Sequence, residues 1–248
     1  MGPDMGKLTG KVVVVTGGGS GVGKATAKLC LTEGAKVVIA GRDPAKLVDV
    51  CEEFAAGDNL YAIPTDVTKA DQCSHLIETA TAHFGRVDVL VNNAGTNIKE
   101  RKFRDLTPES WDAMIRANMD GAFYCTRAAF PQMLARNDGV IVNVVSISGK
   151  RANPLGGAAY IAAKFGMGAL GMAISNEEKD SGIRVSNIYP GEIDTPILAA
   201  RPTPVSEEHR ATMLQAEDVA SAVLYVMTLP PGVSIPELII KPTTAMYW

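Results

Sequence analysis

Tyr160 and Lys164 are the two residues whose types and spacing point most directly to chemistry. They lie four residues apart at the start of a segment with a helical pattern, so both side chains fall on one helix face. A lysine ammonium beside a phenol favours the phenolate and lowers the tyrosine pKa from its usual value of about 10. Such a phenol can exchange a proton with a carbonyl oxygen. The same spacing is common among simple neighbours on a helix surface, so its meaning depends on the surrounding chain.

Three further polar residues fit this chemistry. Ser146 ends a β-branched segment fourteen residues before Tyr160, and its hydroxyl can donate to a substrate oxygen that gains negative charge. Ser148 lies two residues later, and either serine could face the site. Asn118 lies among apolar residues of a long helical segment. It is expected either to hold a water that connects Lys164 to solvent or to satisfy backbone groups.

A glycine-rich turn indicates a dinucleotide site. The first apolar segment, Val12–Thr16, leads directly into this turn, and an amphipathic helix follows. Glycines let the backbone approach a pyrophosphate, and a helix N-terminus offers free N–H groups and a positive dipole. The spacing is Gly-x3-Gly-x-Gly, without the Gly-Lys-Ser/Thr ending of a nucleoside-triphosphate loop. The residues predicted to hold the dinucleotide here are Gly17, Gly19, Ser20, Gly21, Val22 and Gly23.

The end of the second apolar segment bears on the choice between NAD and NADP. An acid at this position binds the ribose 2′-hydroxyl of NAD, whereas a nearby arginine accommodates the 2′-phosphate of NADP. The segment ends Gly41-Arg42-Asp43, with glycine at the acid position and Arg42 able to form a bidentate contact with phosphate. We therefore predict NADP, with Arg42 as the reader of the phosphate. Asp43 keeps NAD possible, and Arg42 could instead begin a solvated turn.

These motifs lie in a chain where short apolar segments alternate with helical ones. Strands are predicted at 12–16, 36–40, 60–63, 87–92, 140–146, 183–188 and 237–240, and helices at 21–33, 44–55, 69–84, 108–136, 158–180 and 216–228. Near-continuous apolar strands that alternate with helices indicate parallel strands buried on both faces. The predicted fold class is α/β, a single-domain, Rossmann-like, doubly wound parallel sheet of about seven strands with helices on both faces. Residues Asp66, Val67, Asn93, Ala94 and Gly95 follow two of the strands and are expected to line the adenosine side of the cofactor site.

Domain boundaries follow from this pattern. Residues 8–248 are predicted to form one NAD(P)-binding domain, and residues 1–7 a tag or a disordered N-terminus. The proline-rich segment 195–210 is expected to be a loop insertion within a longer substrate loop, 192–214.

Composition and charge exclude several other classes of protein. The chain of 248 residues has a formal net charge of −3, which argues against nucleic acid or an anionic membrane as the main partner. The four cysteines form no CxxC pair and the three histidines have no metal-ligand spacing, so no metal is expected. No signal peptide is recognisable, and the longest apolar stretch, 160–174, contains Lys164 and is too short to span a bilayer. A cytoplasmic enzyme is expected. Lys99, Arg101, Lys102 and Arg104 form a basic cluster that is expected to be a solvated rim or to attract an acidic substrate.

Taken together, the motifs resemble the short-chain dehydrogenases/reductases in their compact single-domain branch. The resemblance extends from Leu8 to about Val226, and the order and spacing of its motifs are highly specific. The matching motifs are Thr16-Gly17-x3-Gly21-x-Gly23, Asn92-Asn93-Ala94-Gly95, Asn118, Ser146, Tyr160-x3-Lys164 and Asn187-x2-Pro190-Gly191-x3-Thr195.

The resemblance implies hydride transfer between a nicotinamide cofactor and a small carbonyl or secondary alcohol. It implies a tetrad in which Tyr160 is the proton donor or acceptor, Ser146 orients and polarises the substrate oxygen, Lys164 binds the nicotinamide ribose and tunes Tyr160, and Asn118 supports a relay water. The family pattern Asn-x-x-Ser-x-x-Gly selects Ser146 over Ser148. The residues that would hold the nicotinamide amide are Pro190, Gly191, Ile193 and Thr195.

The C-terminal tail departs from many family members, which end in a Val-Asp-Gly-Gly strand that builds a tetramer. This tail is instead similar to members acting on 3-hydroxy acids, and it puts the usual tetramer in doubt. A homodimer or homotetramer is still expected, because the long helices carry many small residues and family members pair through the equivalent helices. A catalytically silent NADP-binding sensor or scaffold is the alternative function, and a nucleotide-sugar isomerase or dehydratase is disfavoured by the glycine spacing and the chain length.

Overall fold

The computed structural model describes residues 6–246, so residues 1–5 of the predicted N-terminal tag lie outside the described residues. Within this range seven strands form one sheet: β1 (Val12–Thr16), β2 (Lys36–Gly41), β3 (Leu60–Pro64), β4 (Val89–Asn92), β5 (Gly139–Val144), β6 (Ile183–Pro190) and β7 (Glu237–Ile240). All neighbours are parallel, in the order β3-β2-β1-β4-β5-β6-β7. The chain therefore reverses its direction of travel across the sheet between β1 and β4, where ligands bind in sheets of this type.

Helices cover both faces of the sheet. They are α1 (Gly21–Thr32), α2 (Pro44–Phe54), α3 (Ala70–Phe84), α4 (Pro108–Ile115), α5 (Gly121–Arg136), α6 (Ala158–Glu177), α7 (Glu207–Arg210) and α8 (Ala216–Met227). The predicted fold class is confirmed.

The central strand β1 shows why the apolar runs predicted parallel strands. Val13 and Val15 pack into the core on one face with residues of α1 and α8, whereas Val14 packs on the other face with residues of α3 and α5. Because successive side chains of a strand point to opposite faces, a strand covered on both sides must be apolar at every position. Each fully buried valine contributes about 1.5–3 kcal/mol of hydrophobic transfer free energy.

The prediction of one continuous helix over 108–136 was wrong in one respect. A π-helical segment, Arg116–Asp120, separates α4 from α5, and Asn118 lies in its middle. Such segments are rare and occur frequently at functional sites. Because α5 is only weakly amphipathic, the shift of about one residue that a π-helical turn introduces leaves little sign in the sequence.

The segment predicted as a proline-rich loop insertion also contains helical structure. A 3₁₀ helix spans Pro196–Ala200 and α7 follows at Glu207–Arg210. Two side-chain contacts join α7 to the residues after β6: Nε2 of His209 lies 2.7 Å from a carboxylate oxygen of Glu192, and Arg210 forms an ion pair with Asp194 at 2.8 Å. The segment is therefore held in place as a folded flap.

Helix α6 is longer than the apolar stretch seen in the sequence. Its 20 residues and mean hydropathy of 1.3 are sufficient, by length and composition, for a membrane span, although only 33% of that window is buried. One such helix is weak evidence of a membrane protein, because helices packed on the sheet of a soluble protein meet the same criteria. Here α6 packs on β6 and carries a buried lysine.

Candidate active site

A cavity of about 790 Å³ opens at the carboxyl ends of β1, β4, β5 and β6. One wall is the N-terminal end of α1 and another is the first turns of α6. The cavity therefore lies between the glycine-rich turn and the Tyr160-x3-Lys164 pair. Most of the predicted site residues line it: Gly17, Ser20, Gly21, Val22, Asn93, Gly95, Asn118, Ser146, Tyr160, Lys164, Pro190, Gly191, Ile193 and Thr195. Six others do not: Gly19, Gly23, Arg42, Asp66, Val67 and Ala94.

The glycine-rich turn brings backbone rather than side chains to the cavity. Gly17 has a φ of 68°, and a Cβ there would lie 2.8 Å from Nδ2 of Asn93. A Cβ on Gly23 would overlap the carbonyl oxygen of Gly17. These positions therefore require glycine for chain conformation and close packing.

The same turn fits a phosphate-bearing cofactor. Ser20 is the N-cap of α1 but makes no side-chain bond to the first turn, and that turn contains no acidic residue. The N–H groups at the start of α1 therefore have no side-chain acceptor from the cap, while the helix dipole favours an anion there. The residues present are those that a dinucleotide pyrophosphate requires.

Asn93 and Thr16 connect the glycine-rich turn to the end of β4. Asn93 donates from Nδ2 to the carbonyl oxygen of Thr16 at 3.0 Å, and the buried Thr16 hydroxyl accepts from the N–H groups of Asn93 and Ala94 at 3.0 and 3.1 Å. The turn and the β4 loop are thus fixed relative to one another. Thr16 was noted in the sequence only as part of the glycine motif, and its position as the last residue of β1 was the signal for this role.

Lys164 carries its ammonium into the buried end of the cavity. The residue is 3% exposed, and its Nζ donates to the carbonyl oxygen of Val144 at 3.0 Å and lies 3.6 Å from Sδ of Met167. The Nζ atom is 5.8 Å from the centre of the Tyr160 ring. Burial lowers the pKa of Lys164 from 10.5 to about 7, because no anion among the described residues offsets the loss of hydration.

Tyr160 and Ser146 meet beside this lysine. The expectation that Lys164 lowers the pKa of Tyr160 was wrong for the free protein. Burial raises the pKa of Tyr160 above its ordinary value of 10.0, while a hydrogen bond with Ser146 and the positive charge of Arg101 act in the opposite direction. The Ser146 hydroxyl also accepts from the backbone N–H of Ser148 at 3.1 Å. Both serines line the cavity, but Ser146 is the one that interacts with the phenol.

Asn118 is fully buried, and its amide is occupied by backbone groups. Its Nδ2 donates to the carbonyl oxygens of Thr96 at 2.9 Å and Met114 at 3.0 Å, and its Oδ1 accepts from the N–H of Thr96 at 3.1 Å. The side chain thereby ties the loop after β4 to the π-helical segment. It fits the expected role of satisfying backbone groups, and the relay-water role stays a prediction.

Arg42 and Asp43 differ in how they are used. Arg42 is exposed at the end of β2 and makes no hydrogen bond or ion pair to any residue in the range 6–246. Asp43 is the N-cap of α2 and accepts from the N–H of Ala45 at 3.1 Å. The carboxylate is therefore engaged in capping, whereas the guanidinium has no partner in this part of the chain.

Asp66 and Val67 are placed at the end of β3, away from the cavity. The Asp66 carboxylate accepts from the N–H of Thr68 at 3.0 Å. The side chain of Val67 packs against Gly121, where an added Cβ would lie 2.8 Å from Cγ2 of Val67. Their predicted contacts with adenosine stay predictions.

The expectation that the basic cluster forms a solvated rim was wrong for Arg101. This residue is only 6% exposed, and its guanidinium donates to the carbonyl oxygens of Ile98 and Leu155, both at 2.7 Å, and of Ala200. It thus joins the loop after β4, the segment before α6 and the flap. Lys99, Lys102 and Arg104 are exposed as expected.

Comparisons with known proteins agree with this arrangement. A family model described as short chain dehydrogenase matches residues 11–205. An uncharacterized oxidoreductase of Staphylococcus aureus (strain MRSA252) is 38% identical over 236 residues, covering 95% of this chain and 98% of the relative. A similar protein of Staphylococcus haemolyticus is 34% identical over 238 residues, covering 96% of this chain and 100% of the relative.

Solved structures of the same architecture are also similar. A closed form of serine dehydrogenase complexed with NADP⁺ has a TM-score of 0.86 at 31% identity, covering 95% of this chain and 96% of that one. A 3-ketoacyl-(acyl-carrier-protein) reductase from Brucella melitensis complexed with NADH has a TM-score of 0.88 at 30% identity, covering 96% of this chain and 100% of that one. The predicted family is thereby confirmed: the chain is an oxidoreductase of the short-chain dehydrogenase family.

Proposed function

We propose that this protein is an NADP-preferring dehydrogenase/reductase of a carbonyl or secondary alcohol, with Tyr160 as the acid/base. The observation that carries the proposal is the convergence of Tyr160, Ser146 and Lys164 on one wall of the cavity that begins at the N-terminal end of α1. A catalytically silent sensor or scaffold would have no need of a phenol, a hydroxyl and a buried ammonium at the same point.

The residues of this wall divide the work. When bound, the nicotinamide exchanges a hydride with the substrate carbon. Tyr160 gives its phenolic proton to the substrate oxygen during reduction and takes it back during oxidation. Ser146 donates to that oxygen as its negative charge grows. When its side-chain amine is protonated, Lys164 lowers the free energy needed to form the Tyr160 phenolate. The amide end of the cofactor would be held by Pro190, Gly191, Ile193 and Thr195.

The preference for NADP rests on Arg42 and Asp43. The exposed guanidinium of Arg42 can form a bidentate contact with a 2′-phosphate, whereas the Asp43 carboxylate, which would bind the 2′-hydroxyl of NAD, is already the cap of α2. Related structures were solved with NADP⁺, with NADP and with NADH, so the family accepts both cofactors.

The charges at the substrate end favour a substrate with a carboxylate, such as a small 3-hydroxy acid. Arg151, Arg201 and Lys241 line the cavity, and the acid that lines it with them, Glu192, is paired with Arg201 at 2.8 Å. The Lys241 ammonium donates to the carbonyl oxygens of Pro242 at 3.3 Å and Ala245 at 2.8 Å, which leaves one N–H for a ligand. The similarity to serine dehydrogenases, whose name denotes a 3-hydroxy acid, supports this choice.

We further propose a cytoplasmic homodimer or homotetramer. Phe123 on α5 and Phe165 and Met172 on α6 are about 40% exposed, so both helices offer large apolar side chains to a second copy of the chain. Light scattering, which gives the mass in solution, tests the oligomeric state.

The cytoplasmic location is supported by the four cysteines, which are free thiols, as a reducing compartment requires.

Replacing the acid/base tests the reaction itself. We expect Tyr160→Phe to lower kcat by about 10²- to 10⁴-fold, because general acid/base catalysis contributes about that much. The dissociation constant for NADPH, measured by fluorescence, should stay within about twofold of wild type, because the phenyl ring keeps the shape of the site. Turnover comparable to wild type would refute the role of Tyr160.

The cofactor preference is tested by Arg42→Ala, with Lys179→Ala as a control that removes an exposed cation distant from the cavity. We expect Arg42→Ala to weaken NADPH binding by about tenfold or more and NADH binding by less than about twofold, because a charge-assisted hydrogen bond is worth about 1.5–3 kcal/mol. Equal losses for the two cofactors would show that Arg42 does not read the 2′-phosphate.

The substrate class is tested by measuring KM for a 3-hydroxy acid and for its methyl ester. The measurements are made on the wild-type protein, on Lys241→Met and on Lys102→Met, which is a control that removes an exposed lysine. We expect Lys241→Met to raise KM for the acid by about tenfold and to leave the ester unchanged, because only the acid has a charge to pair. An equal effect on acid and ester would contradict a carboxylate contact at Lys241.

A further inference from the structure

Three asparagines occupy the same level of three adjacent strands behind the active site. Asn92 of β4 is in register with Asn143 of β5, which is in register with Asn187 of β6. The residues are 2%, 3% and 1% exposed. A buried amide without partners costs about 1–3 kcal/mol, so three of them at one level call for a physical explanation.

Their side chains form one hydrogen-bonded ladder that ends on α6. Asn92 donates from Nδ2 to Oδ1 of Asn143 at 3.0 Å, Asn143 donates to Oδ1 of Asn187 at 2.9 Å, and Asn187 donates to the carbonyl oxygen of Gly168 at 3.0 Å. At the remote end, Asn92 also donates to the hydroxyl of Thr126 on α5 at 3.0 Å.

The carbonyl of Gly168 fixes the direction of the whole ladder. A carbonyl oxygen accepts only, so the NH₂ group of Asn187 must face α6 and its oxygen must face Asn143. Because the oxygen of Asn187 can only accept, Asn143 must turn its NH₂ group toward Asn187 and its oxygen toward Asn92. Asn92 must in turn donate to Asn143. Every amide in the ladder therefore donates toward α6, and the orientation does not depend on the assignment of any one amide.

Helix α6 lies unusually close to the sheet where it meets the ladder. A Cβ on Gly171 would overlap Oδ1 of Asn187 and lie 2.7 Å from Nδ2 of Asn143, and a Cβ on Gly168 would lie 2.8 Å from the hydroxyl of Tyr189. The helix backbone, and not a layer of side chains, rests on the amides. Small displacements there cannot be absorbed by flexible side chains.

The contact point is directly connected to the catalytic residues. Lys164 and Tyr160 lie one and two turns before Gly168, on the same helix face. Lys164 donates to Val144, the residue that follows Asn143 on β5. The height and rotation of α6 over β5 therefore decide whether the ammonium reaches Val144 and whether the phenol reaches Ser146.

We propose that the ladder Asn92–Asn143–Asn187 is a positioning device that holds α6, and with it Tyr160 and Lys164, at the height over β5 that the reaction requires. This inference rests on the proposed function, because it concerns the geometry of the same site. Asn143 and Asn187 are positioning residues that act through α6 and touch neither substrate nor cofactor.

The test compares Asn187→Leu with Thr126→Val. Asn187→Leu keeps the branching of the side chain at Cγ but removes the bond to Gly168, whereas Thr126→Val removes a buried hydrogen bond at the end of the ladder remote from α6. We expect Asn187→Leu to lower kcat about 10- to 100-fold and to move the pH midpoint of kcat, while the affinity for NADPH stays within about twofold. Thr126→Val should lower the denaturation midpoint but leave kcat and its pH midpoint unchanged.

Several results would overturn the proposal. Unchanged kcat and pH midpoint in Asn187→Leu would do so, as would equal changes in both variants, which would mark the ladder as a source of stability only. If circular dichroism shows Asn187→Leu to be unfolded, Gly171→Ala, whose Cβ displaces α6 from the ladder, replaces it with the same expected result. Absence of turnover in the wild-type protein would instead refute the proposed function and not the ladder.

Discussion

The ammonium group of Lys164 lies in a buried part of the protein, where its partners are the carbonyl oxygen of Val144 and the thioether sulfur of Met167. Because its pKa in the folded chain is about 7 and its usual value is 10.5, the unfolded chain binds more protons between these two values. This residue therefore costs stability in full below about pH 7, and the cost declines as the pH rises toward about 10.5. A lysine with this pKa is half-protonated near neutrality. It can therefore stabilise a phenolate beside it without being a permanently buried charge.

Several independent elements are needed to hold Lys164 and Tyr160 where they are. Arg101 binds the segment that precedes α6, Asn118 fixes the loop after β4 from a π-helical turn, and Asn93 joins that loop to the glycine-rich turn. Each of these contacts is a side chain bound to backbone from a distant part of the chain. The cavity is therefore shaped by loops that are fastened to the rigid edge of the sheet, which is how parallel α/β sheets build their sites.

Much of the fold and of the candidate site could be predicted from the sequence because local rules apply there. Strands buried on both faces must be apolar throughout, and a backbone that approaches another chain segment must be glycine, so β1 and the turn at Gly17–Gly23 are readable directly. Arg101 was misjudged because a charged residue in a basic cluster is usually exposed, and its partners at Leu155 and Ala200 are 54 and 99 residues away. The π-helical turn at Asn118 depends on backbone geometry that the apolar pattern does not encode, whereas the capping role of Asp43 is indicated by the proline that follows it at the start of α2.

Titration of the Tyr160 phenol tests most directly whether this residue is the acid/base of the site. The near-ultraviolet absorbance of tyrosinate in wild type, minus that in Tyr160→Phe, reports this one group in the free protein and in the presence of saturating NADP⁺. In the free protein the signal should appear above the ordinary tyrosine pKa of 10.0, because burial raises the pKa of Tyr160. The pKa reported by this signal should fall when the cationic nicotinamide is bound, because a nearby positive charge favours the phenolate. A Tyr160 signal that titrates at the same pH with and without NADP⁺ would show that the phenol does not lie beside the nicotinamide, and would refute its role as the acid/base.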